Sequence, residues 1–89
     1  MEEKFLAAWA ANREKAAALG VRMRAGDMTA AHRCLSGHKE SDGFWELAQR
    51  KQLKLSLEAL AVDKRFTALF SDDEANNALT RLLDAGYIF

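Results

Sequence analysis

The 89-residue sequence contains no proline, one isoleucine, two valines and one cysteine. Each shortage excludes something. Strands favour β-branched residues, and this chain has too few to furnish a sheet of several strands. Seventeen alanines and the missing proline favour uninterrupted helix instead. The single Cys34 rules out an intramolecular disulfide framework and fits a reducing compartment, which makes cytoplasm the expected location. No apolar run approaches the ~20 residues that span a bilayer. The longest near the start, Phe5 to Ala11, is cut by Asn12 and Arg13, and the opening Met-Glu-Glu-Lys is acidic where a signal peptide is basic. A membrane partner is therefore not expected. Thirteen basic residues balance thirteen acidic ones, so the whole-chain basic excess of many nucleic-acid binders is absent.

What is present suits a folded chain. Leu, Ile, Val and Phe supply twenty residues, just above the ~20% below which disorder becomes the default, and zero net charge adds no self-repulsion. The fold expected is all-α, a single helical domain over residues 1–89. It is a compact bundle of four to six helices, with two longer terminal helices around short central ones. Phe5, Trp9, Ala16 and Leu19 fall on one helical stripe, and Gly20 follows as a stop. Val21 to Gly26 reads as a connector with an alternating Val-Arg-Met-Arg. Asp27 or Thr29 opens a short helix to Leu35. Ser41 or Asp42 is the expected cap of a third helix carrying Phe44, Leu47 and Ala48 inward, as far as Lys51 or Lys54. Ser56 caps a further turn with Leu57, Leu60 and Ala61, and Lys64 to Phe70 suggests another helix started by Asp63. Ser71-Asp72-Asp73-Glu74 has the spacing of a capping box. Ala75, Leu79, Leu82 and Leu83 then define the expected inward face, with Gly86 as the stop.

No spacing specifies catalysis. His32, Cys34 and His38, with Glu40 and Asp42 nearby, have metal-ligand chemistry, but two residues of separation on a helix point His32 and Cys34 in divergent directions. A nucleophilic Cys34 would need an activating base that no motif supplies. Nucleophile-elbow, phosphate-loop, dinucleotide-turn and zinc-helix signatures are all missing. The expectation is a protein that is not an enzyme and takes no cofactor or metal.

The charges, balanced in sum, are distributed unevenly. Arg22, Arg24, Arg33 and Lys39 stand against Asp27 in the segment 22–39, whereas Asp72, Asp73, Glu74 and Asp84 stand against Arg81 in the segment 71–89. Trp45, next to the stripe residue Phe44, diverges from it by about 100° on a helix, so the two cannot share one face centre. An apolar carboxy-terminal Tyr87-Ile88-Phe89 must close the core or meet a partner. These features together suggest a module that binds another protein, with Arg22, Arg24, Arg33, Trp45, Tyr87 and Phe89 as its contact residues. The alternatives are a small DNA-binding regulator using Arg22 to Lys39, and a component that assembles with its own copies. For DNA, the helix after Ser41 opens with Asp42 and Glu46 where a recognition helix needs Arg, Lys, Asn or Gln.

Overall fold

Helix boundaries in this chain follow from a few side chains and backbone turns. The computed structural model describes residues 1–87. It contains five α-helices: α1 (Glu2–Ala18), α2 (Met28–Ser36), α3 (Phe44–Gln49), α4 (Leu57–Ala61) and α5 (Asp72–Asp84). Two 3-10 turns, Leu53–Leu55 and Thr67–Leu69, flank α4 in sequence, and no strand occurs among the described residues. The longest helices are the first and the last, as expected. Asp27, Ser56 and Ser71 cap α2, α4 and α5 by accepting from Ala30 N, Ala59 N and Glu74 N. α1 ends in paired bonds, Gly20 N to Ala17 O and Val21 N to Ala16 O, and α5 ends in the same pattern at Gly86 and Tyr87.

Three local expectations are corrected. α3 starts from Gly43 and not from a side-chain cap, because Ser41 is bonded to Glu58 and Asp42 faces Arg24. Gly43 has φ +83°, and a Cβ there would lie 2.8 Å from the Arg22 carbonyl oxygen, so both conformation and space require glycine. α3 also stops at Gln49, short of Lys51, because Lys51 turns left-handed at φ 58° and Gln52 N bonds back to Leu47 O. Between Asp63 and Phe70 no α-helix forms. The Asp63 carboxylate accepts from Arg65 N at 2.8 Å and holds the Arg65 guanidinium, a local turn that competes with helix.

Phe5 organises the apolar interior. Its ring meets Trp9 at 6.1 Å, Phe66 at 5.4 Å and Phe70 at 5.2 Å between centroids, joining α1 to the segment before α5. Leu35, Phe44, Leu47, Leu57 and Leu82 are the largest fully buried side chains that the other helices add. A radius of gyration of 11.6 Å matches the ~12 Å of a compact chain this long. Leu19 leaves the expected α1 stripe and is 39% exposed at the helix end.

The face that α5 turns inward is displaced by one residue from the expected one. Glu74, Ala78, Arg81 and Leu82 are buried, while Leu79 and Leu83 are exposed. One residue is about 100° of helix rotation. Polar residues occupy this face because each finds partners there. Glu74 completes the capping box with Ser71 and also receives His32 Nδ1 at 2.8 and 3.0 Å from its two oxygens. An ionised carboxylate only accepts, so Nδ1 is the donor. Burial pushes the Glu74 carboxyl up, but the Ser71 amide and the His32 contact outweigh it, and the net result lies below the ordinary glutamate range.

A lowered folded-state value means that Glu74 stabilises the fold fully above the unfolded glutamate pKa of ~4.3, and that this contribution disappears as pH falls through the folded value. Glu74→Gln is expected to flatten the acid limb of the stability curve below about pH 5 and to lower stability at neutral pH. Urea unfolding of both proteins across pH 2 to 7 checks this; parallel acid limbs would contradict it.

Candidate functional site

The connector between α1 and α2 has no assigned secondary structure over Val21 to Arg24, and its side chains alternate. Val21 and Met23 are buried, whereas Arg22 and Arg24 face solvent. This period-two segment runs close to α1 at Gly26, where a Cβ would lie 2.6 Å from Ala30 Cβ and 3.2 Å from the Trp9 ring. Trp9 is thereby fixed beneath the connector.

A cleft of about 420 Å³ opens among α1, this connector, α2 and the loop from Gly37 to Asp42. Buried side chains form its floor: Trp9, Met23 and Leu57, joined by the half-buried Ala30 and Cys34. Exposed cations, Arg24, Arg33 and Lys39, stand at its mouth, with Glu40 and Asp42 as the acidic members. Arg24 approaches Asp42 at 3.6 Å, a solvent-exposed contact of little strength. Arg33 and Lys39 have no ion-pair partner among the described residues.

The loop forming one wall has no secondary structure of its own, and buried charge holds it in place. Glu58 is fully buried on α4 and accepts from Ser41 N at 2.8 Å, from Ser41 Oγ and from Arg81 Nη1 at 3.2 Å. Arg81 on α5 in turn donates through Nη2 to the carbonyls of Cys34 at 3.2 Å and Gly37 at 2.8 Å. The last turn of α2, the loop, α4 and α5 are thus tied through two side chains. No buried side-chain nitrogen or oxygen among the described residues lacks a partner, the condition under which buried charge is tolerable.

Cys34 lies beside this network, facing the cleft. Burial pushes its thiol up, the Glu58 charge adds to that, and Arg81 opposes it less strongly. A thiol held above its ordinary value is a poor nucleophile at neutral pH. The metal-competent residues of this region are dispersed: His32 is engaged with Glu74, and no group of three or more such side chains occurs among the described residues.

Of the contact residues read from the sequence, the cleft brings together Arg24 and Arg33 and adds Lys39 from the same basic segment. Arg22 is exposed but lies outside the lining, and so does Trp45, half exposed on α3 with its ring edge-on to Phe44 at 5.3 Å. Tyr87 packs partly buried against the core, and Phe89 lies outside the described residues. Sequence reading missed Trp9, Met23 and Ser41 as site residues. Met23 had a signal in the alternation Val21-Arg22-Met23-Arg24, which separates a buried row from a charged row; Trp9 and Ser41 had none.

Removing one member of the buried pair leaves the other uncompensated. Glu58→Gln or Arg81→Met is expected to cost about 3 to 5 kcal/mol and to loosen residues 37–41. Chemical denaturation gives the first quantity; a loss under 1 kcal/mol would contradict the assignment.

No known protein family matches the chain, and neither a curated protein nor a solved structure gives a match.

Proposed function

We propose that this chain is a non-catalytic binding module that takes up an acidic segment of a protein partner in the cleft. The observation that supports it is the union of an apolar floor with a mouth carrying Arg24, Arg33 and Lys39 against Glu40 and Asp42, a small excess of positive charge. The chain is neutral overall, so this local asymmetry is what an acidic partner would recognise. Cations at the mouth accelerate encounter, and apolar burial against Trp9, Met23 and Leu57 slows departure. The wall is already fastened by Glu58 and Arg81, which reduces the ordering cost of binding. A cytoplasmic setting goes with this reading, since Cys34 is a free thiol in the cleft and a reducing compartment preserves it.

Affinity capture from a lysate of the source organism, with and without nuclease, tests the reading when wild type is compared with Arg24→Ala/Arg33→Ala. Both residues are exposed, so the variant keeps the fold. A nuclease-resistant protein that the variant retains about tenfold less well at low salt is the expected result. Equal retention by both baits contradicts the cleft as the binding surface. Material lost on nuclease treatment identifies a nucleic-acid binder, and recovery of the chain itself identifies self-assembly; either replaces this reading.

A further inference from the structure

Resting on that binding-module reading, we propose that the partner segment seats a carboxylate against Arg13 and Arg24, taking Arg24 from Asp42, while its adjoining apolar side chain lies in the cleft against Trp9. The cleft continues past the Trp9 ring. A second cavity of about 80 Å³ adjoins it, and Trp9 and Arg24 line both. Gly26 lines the smaller one, close to the Trp9 ring.

The two cavities differ in size. At about 420 Å³, the larger falls within the ~300 to 1,000 Å³ typical of ligand sites. It accommodates a large apolar side chain with its backbone. The smaller, about 80 Å³, equals only two or three waters at ~30 Å³ each. A carboxylate is small enough to enter it.

Charge agrees with size. Arg13 and Arg24 are the charged side chains on the wall of the small cavity, and no acid lines it among the described residues. Guanidinium groups present planar forks of donors that match the two oxygens of a carboxylate. The molecule already holds one carboxylate near Arg24: Asp42, at 3.6 Å, with both side chains more than half exposed. Such a pair is weak and exchangeable. Asp42, which lines the larger cleft, is therefore an internal competitor for Arg24 and not an occupant of the small cavity.

The full ¹⁵N-labelled chain is titrated with the acetylated, amidated hexapeptide Glu-Asp-Phe-Leu-Asp-Glu and with its neutral counterpart Gln-Asn-Phe-Leu-Asn-Gln. The Trp9 indole N–H and the Arg13 and Arg24 Nε–H signals are followed. The acidic peptide is expected to shift all three and to bind about tenfold more tightly than the neutral one. Arg13→Gln should weaken the acidic peptide about tenfold and leave the neutral one unchanged. Asp42→Asn should tighten the acidic peptide about threefold. If the acidic peptide shifts Trp9 but both variants bind it as wild type does, the carboxylate position is overturned and the binding-module reading stands. If neither peptide shifts Trp9 in the wild type, that reading falls and the carboxylate position with it.

Discussion

Glu58 is a carboxylate without contact with water, placed among leucines at the start of a five-residue helix. An unpaired charge in such a position would cost several kcal/mol, and the surrounding chain is arranged so that it is never unpaired. Arg81 supplies the opposite charge, and Ser41 supplies an amide and a hydroxyl. Arg81 then uses Nη2 on two carbonyls that the end of α2 and the following loop leave open. The pair thus solves two problems, the solvation of a buried charge and the satisfaction of a loop backbone that no helix or strand would otherwise bond. Remove either member and the loop loses its fixed position as well as its share of the stability.

The cleft is a consequence of that arrangement. Half of its mouth comes from residues 37–42, which carry Lys39, Glu40 and Asp42. The opposite side is a connector whose alternation buries Met23 and exposes Arg24. An apolar floor bounded by charges of mixed sign, with basic ones in excess, is able to hold an apolar group and discriminate by its neighbouring charge. The thiol of Cys34, kept neutral by burial and by Glu58, contributes to the floor as a small apolar group.

Much of the helical framework was legible from caps. Asp27, Ser56 and the Ser71–Glu74 box mark three helix starts because each needs only local geometry. The inward face of α5 was not legible, because apolar periodicity assigns Arg81 and Glu74 to solvent. Their partners lie 23 residues or more away in the chain, at Glu58, Cys34, Gly37 and His32. Ser41 was misread as a cap for the same reason: its hydroxyl has a local use and a distant one, and the buried carboxylate wins. The basic segment gave Arg24, Arg33 and Lys39, but only packing places Trp9, read as core, beneath them.

Amide hydrogen exchange at Ser41 tests the central claim most directly. Ser41 lies in a loop outside any helix, and its N–H is bonded to Glu58. If the buried carboxylate holds the loop, that amide exchanges only through global unfolding, at a rate at least about 10³-fold below that of an unstructured chain. Exchange of Ser41 at the unprotected rate, while the α5 amides remain protected, would contradict the account.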